Sequence, residues 1–143
     1  MEYKTLKLSE LKPYENNPRI IDGAIPDVVE SINQCGYITP IIVDENNVIL
    51  AGHTRYEALK KLNVEECNII VVSGLSDSKK KKYRLYDNKS AELAKWDPQK
   101  LIQEVGNLDF GGYDFGQPKF EPFKYEKQKE KIICPCCGEE FEV

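Results

Sequence analysis

The sequence predicts an α+β domain: a small mixed sheet with flanking helices. Three observations carry that prediction. Short β-branched runs interleave irregularly with helical patterns, unlike the strict alternation of a doubly wound sheet. Ile25, Val28, Val29, Ile32 and Cys35 recur at the spacing of an amphipathic helix. The run Ile49-Leu50-Ala51 passes through Gly52 directly into a second helical pattern.

Tyr3 to Leu8 alternates weakly and reads as a first strand, followed by a short helical turn at Ser9-Glu10-Leu11 that Pro13 stops. Tyr14 to Arg19 is a polar loop with turn chemistry throughout. The helix over 25–35 carries Pro26 in its first turn, where a missing N–H costs nothing, and Gly36 is placed to cap its end. Cys35 falls on the apolar face and is expected in the core. Pro40-Ile41-Ile42-Val43 and Val48-Ile49-Leu50 flank a polar turn and read as a hairpin. Ala58, Leu59 and Leu62 give the next helix its buried face, and Asn68 to Val72 is a further strand. Ser76 to Ala94 reads as a capped helix whose inner face uses Tyr83, Leu85 or Tyr86, Ala91 and Leu93. Trp96 is expected to close the end of the domain. Pro98 to Val105 is a short helix. The alternating glycines and aromatics of 106–116 read as a loop, and the charged, proline-punctuated 117–131 as a linker. The organisation is thus a domain over 1–97, a connecting segment over 98–131 and a tail over 132–143.

Of 143 residues, 41% are hydrophobic and 31% charged, enough for a core and a solvated surface. No apolar run reaches bilayer length, and Met1-Glu2-Tyr3-Lys4 lacks a leader's apolar stretch, so a cytoplasmic location is expected. Net charge is −4. Residues 1–97 carry 14 basic against 15 acidic side chains. That balance argues against a protein gripping nucleic acid mainly through phosphates. Lys79 to Lys82 is the best local candidate for such a contact, but such a run more often forms a solvated face.

The stretch Ile49 to Leu59 carries the most chemistry. A strand that enters a helix through glycine leaves several N–H groups free at the helix start, beside the positive end of its dipole. That arrangement favours an anion. Gly52 permits close backbone approach, His53 can donate from a ring nitrogen, Thr54 can cap the helix or offer its hydroxyl, and Arg55 presents a planar fork. The same residues would also serve a helix that merely turns the chain, with Thr54 as cap and Arg55 in solvent.

Ser31-Ile32, then Gly36-Tyr37-Ile38-Thr39-Pro40-Ile41-Ile42-Val43, then Gly52-His53-Thr54-Arg55-Tyr56-Glu57-Ala58, together resemble the N-terminal domain of ParB partition proteins, within the ParB/sulfiredoxin superfamily. Asn17-Pro18-Arg19 matches too. Tyr86 to Asp97 looks most like the ParB-like domain ahead of the methyltransferase in phage-type DNA modification methylases. The resemblance covers about two thirds of the chain. It implies a nucleotide pocket, with Gly36, Thr39 and Pro40 near the base and Gly52, His53, Thr54 and Arg55 cradling phosphates. Asp87 and Asn88 would help to hold the triphosphate with Mg²⁺. Partition proteins bind CTP there and switch between open and clamped dimers, so a nucleoside triphosphate and a second copy of the chain are the implied partners. DNA or a DNA-modifying enzyme joins them, in partition, DNA modification or phage and mobile-element DNA transactions. Thr39 replaces the usual glutamine, Asp87 the usual glutamate, and Ala91 a basic side chain. The helix-turn-helix and dimerisation domains of partition proteins are not expected within this length.

Two other readings stay open. One is an enzyme on the same fold: an NTPase, phosphotransferase or nuclease using Glu30 and Asp87 beside a metal. Sulfiredoxin chemistry is not expected, because His53 stands where its cysteine nucleophile would be. The other is an interaction module with a vestigial pocket. Near the C-terminus, Cys134 and Cys137 have the spacing of half a zinc ribbon, with Cys136 as a third candidate ligand. Two chains could close a Zn²⁺ site between them; alternatively the tail is reduced and metal-free.

Overall fold

The computed structural model describes residues 1–111 and the backbone of the strands at 131–133 and 140–142. Cys134, Cys136 and Cys137, and most of the aromatic loop and linker, lie outside the described residues. The chain divides into two compact units, Met1–Tyr113 and Asp114–Val143. In the second unit, β5 (Lys131–Ile133) pairs antiparallel with β6 (Glu140–Glu142), placing Ile132 opposite Phe141.

The first unit is α+β, as expected. Its strands are β1 (Glu2–Lys7), β2 (Ile41–Asp44), β3 (Ile49–Ala51) and β4 (Glu66–Val72). Its helices are α1 (Ile25–Cys35), α2 (His53–Lys61), α3 (Asp77–Leu93) and α4 (Pro98–Val105). The sheet order is β1-β4-β2-β3. β1 runs antiparallel to β4, β4 parallel to β2, and β2 antiparallel to β3, so the sheet is mixed.

Alternation in β4 fixes the core side. Cys67, Ile69 and Val71 point inward while Glu66 and Asn68 face out. Ile41, Val43, Ile49 and Leu59 are fully buried beside Ile69. Leu8 and Leu11 close one end of this cluster, Tyr56 is buried within it, and Ile32 and Tyr37 pack against it. The turn between β2 and β3 is built on Asp44, whose Oδ1 accepts the main-chain N–H of Asn46 at 2.9 Å and Val48 at 3.0 Å.

α1 has the expected bounds and ends at Gly36, whose φ of 86° suits glycine and whose N–H donates to Ile32 O at 2.8 Å. Three expectations fail. Cys35 is exposed, at the last residue of α1, a helix that packs on α2. Trp96 is 69% exposed and does not close a core. In α3, Leu85, Tyr86 and Leu93 are exposed, whereas Lys80 and Arg84 are buried. The docked stripe of α3 is therefore Lys80, Arg84 and Asn88, one turn apart each, which rotates the apolar residues outward. Lys80 also departs from the solvated face expected of the lysine run. It bonds Asp44 Oδ2 at 3.0 Å and Glu45 Oε1 at 3.2 Å.

Candidate functional site: a helix-start cavity lined by arginines

A cavity of about 170 Å³ opens where β3 meets α2, bounded by the loop before α1 and by the middle of α3. Gly52 makes the corner. Its φ of 108° is left-handed, and a Cβ there would sit 3.2 Å from Ile41 Cγ1. Glycine at the cap offers no side-chain bond, and among the described residues no side chain is bonded to a first-turn N–H of this helix. Thr54 is the second helical residue rather than the cap, so the first-turn N–H groups of α2 remain available on the cavity side.

His53 is half-buried, and its Nε2 accepts the main-chain N–H of Tyr14 at 3.1 Å. Burial holds its pKa below the usual 6.5, aided by the charge of Arg84 and opposed by Glu57. The neutral ring then carries its proton on Nδ1, a donor.

Arg55 does more than present a fork. Its Nη1 donates to Thr39 O at 2.8 Å and Pro40 O at 2.9 Å. The helix start is thereby tied to the segment leading into β2. Tyr37 steadies the same segment: its hydroxyl accepts Ile41 N–H at 2.7 Å and donates to Asn68 O at 2.8 Å. Burial first, together with the neighbouring Cys67, pushes the Tyr37 phenol up to about 12, against the hydrogen bond from Ile41 and the charge of Arg55.

Asn88 joins two other arginines. Its Oδ1 accepts Arg19 Nη1 at 3.0 Å, and its Nδ2 donates to the main-chain oxygen of Arg84 at 2.8 Å. Arg84 Nε donates to Ile49 O at 3.1 Å, and the guanidinium carbon lies 3.8 Å from the Tyr14 ring centre.

Gly52, His53, Thr54, Arg55, Asp87 and Asn88 thus all line one cavity. Gly36, Thr39 and Pro40 do not line it, though Thr39 and Pro40 reach it through Arg55. Glu30 lies apart on α1, where its Oε1 accepts Gln34 Nε2 at 2.7 Å and the Gly111 backbone packs against it. Apolar periodicity does not single out Arg84. The signal was its i+4 relation to Lys80 and to Asn88. The wall holds Arg19, Arg55 and Arg84 against a single carboxylate, Asp87. Among the described residues, no cluster of three metal-ligating side chains forms. Asp87 could serve Mg²⁺, which takes few protein ligands and completes its shell with phosphate and water, whereas Asn88 Oδ1 already accepts from Arg19.

This topology and this cavity define an α+β domain with a polar recess at a helix start. The chain belongs to the ParB N-terminal domain family, whose profile matches residues 1–89. It is 40% identical over 76 residues to the ParB-like nuclease domain-containing protein YnaK of Escherichia coli, covering 52% of this chain and 87% of YnaK. It is 37% identical over 68 residues to a probable chromosome-partitioning protein ParB of Rickettsia typhi, covering 46% of this chain but only 24% of that protein. Among solved structures, ParB of Caulobacter crescentus complexed with CTP-γ-S superposes with a TM-score of 0.60 at 20% identity, covering 73% of this chain and 62% of that one. A Pnob8-like ParB-N domain gives 0.54 at 17% identity, covering 99% and 56%. These likenesses establish the ParB fold. No described helix is long and apolar enough to cross a membrane.

Proposed function

We propose that the chain is a nucleotide-binding module that takes CTP or another nucleoside triphosphate with Mg²⁺. The observation that carries this reading is the cavity wall itself: three arginines and an uncapped helix start facing one carboxylate, in a chain of net charge −4. That local excess of positive charge matches a polyphosphate. The helix-start N–H groups and Thr54 would receive phosphate oxygens, His53 would donate from Nδ1, and Asp87 would hold the metal. The CTP-γ-S in the Caulobacter protein makes CTP the first nucleotide to try. Gly36, Thr39 and Pro40 would meet the base. The biological setting is DNA partition, DNA modification or a mobile-element transaction in the cytoplasm, with a second copy of the chain, DNA or a DNA-modifying enzyme as partner.

Calorimetric titration of CTP, ATP, GTP and UTP with Mg²⁺, on wild type and on Asp87→Asn, tests this. Saturable binding of one nucleotide, weakened in the variant, supports the reading; no heat with any of them overturns it. The name of YnaK favours a second reading, metal-dependent phosphoryl cleavage. Product formation from the bound nucleotide or from DNA separates it from binding alone. One wall carboxylate offers a single metal position, fewer than a two-metal nuclease uses. For the tail, Cys134 and Cys137, with Cys136, remain proposed Zn²⁺ ligands, to be tested by zinc content after dialysis.

A further inference from the structure

We propose that Arg84 is the polyphosphate-reading residue of this cavity, distinguishing a nucleoside polyphosphate from a nucleoside. This rests on the nucleotide reading above. Arg84 is 6% exposed, and its side chain lines the cavity opposite the start of α2. A buried cation is costly unless an anion faces it. One turn earlier on the same stripe, buried Lys80 is neutralised by Asp44 and Glu45. Arg84 forms no ion pair among the described residues; it feels only the longer-range attraction of Asp44, whose carboxylate is already bonded to Lys80.

Its surroundings fix its orientation without neutralising it. Nε is committed to Ile49 O, and the Tyr14 ring stacks on the guanidinium plane. Four of the five guanidinium N–H donors sit on the two terminal nitrogens, and these match two oxygens of a phosphate. The other two arginines differ. Arg55 is half-buried and spends Nη1 on two carbonyls, and Arg19 is exposed and spends Nη1 on Asn88. Solvent already screens Arg19, so its charge discriminates less. Arg84 is the cation that an anionic ligand would neutralise most completely.

The test titrates CTP, cytidine and inorganic tripolyphosphate, each with Mg²⁺, into wild type, Arg84→Gln and Arg84→Lys, alongside thermal unfolding without ligand. Losing a charge-assisted phosphate contact should weaken CTP about 10–100-fold in Arg84→Gln. The loss should be smaller in Arg84→Lys, which keeps the charge without the fork. Tripolyphosphate binding should fall in parallel and cytidine should be unaffected. The glutamine variant also loses the bond to Ile49 O and the ring stack, so a lower unliganded midpoint is expected; a merely structural arginine would weaken cytidine along with CTP and tripolyphosphate. Wild-type affinity for CTP and tripolyphosphate in the glutamine variant overturns the proposal. Should that variant not fold, an unchanged lysine variant does the same. If wild type binds tripolyphosphate through Arg84 but no nucleotide, the nucleotide reading fails and Arg84 stands as an anion reader. If it binds neither, both fall.

Discussion

The main-chain N–H of Tyr14 donates to Nε2 of His53, locking the loop before α1 to the first residue of α2. A nitrogen that accepts this bond cannot be protonated, so acid must break the lock. His53 is the one histidine of the chain, and its ring signals titrate without overlap from another. Their midpoint is expected below 6.5. The unfolded chain then takes up the proton at a higher pH than the folded one. Stability should therefore decline as pH falls through about 6.5 and level off below the folded midpoint. His53→Gln should flatten that window. A proton NMR titration with a midpoint at or above 6.5 would refute the assignment.

Gly52→Ala should be costly on two counts. The backbone is left-handed there, and the new methyl would meet Ile41, which is fully buried and cannot retreat. The left-handed penalty alone is about 1–2 kcal/mol. Urea unfolding should show at least that loss, and nucleotide binding should weaken because the first turn of α2 shifts.

Tyr37→Phe removes a hydroxyl that serves both Ile41 N–H and Asn68 O. Leaving the N–H of buried Ile41 unpaired should cost about 1–3 kcal/mol. With the phenol pushed up to about 12 when folded, against 10.0 when free, its stabilising effect is fully present below pH 10 and is lost as pH rises toward 12. A difference ultraviolet titration between wild type and the variant isolates this phenol. A midpoint near 10 would contradict the burial of this phenol.

Asp44→Asn and Lys80→Met should each lower the thermal midpoint, and the double substitution should cost less than their sum. Each single change strands a buried partner. Burial raises the Asp44 carboxyl, but the hydrogen bonds from Lys80, Val48 and Asn46 outweigh it and hold it below 3.8. The pair's contribution is therefore present above pH 3.8 and disappears as pH falls through the lower folded value. Additive single effects in a double-mutant cycle would show that the two do not act as a pair.

Sequence spacing alone placed α1 with its exact bounds, because five apolar residues at helical intervals and a terminal glycine leave little choice. The strand–glycine–helix junction likewise exposed the cavity corner at Gly52. The inner face of α3 was not readable that way. Hydrophobic periodicity assigns a helix face by its apolar residues, so it selected Leu85, Tyr86 and Leu93 and turned Lys80 and Arg84 outward. The true stripe is held by an ion pair, a carbonyl bond and a ring stack. Such partners lie 35 or more residues away in sequence and leave no local pattern. Trp96 and Cys35 stand outside the core for a related reason: apolar character marks what can be buried, not what the neighbouring elements cover.

The way α3 is attached has a bearing on what the cavity's occupant would be to the protein. The described buried residues of α3 are both cations, so the helix brings almost no oil to the interior and rests on charge and hydrogen bonds. Asp87 and Asn88 ride on that helix, while Gly52 to Arg55 belong to the sheet-backed part of the domain. A ligand gripped from both sides would then be a tertiary contact in its own right, and mass action would tie the docking of α3 to ligand concentration. Amide protons along α3 should exchange fast in the empty protein and slow together when the recess fills, reporting occupancy from an element that supplies little core of its own.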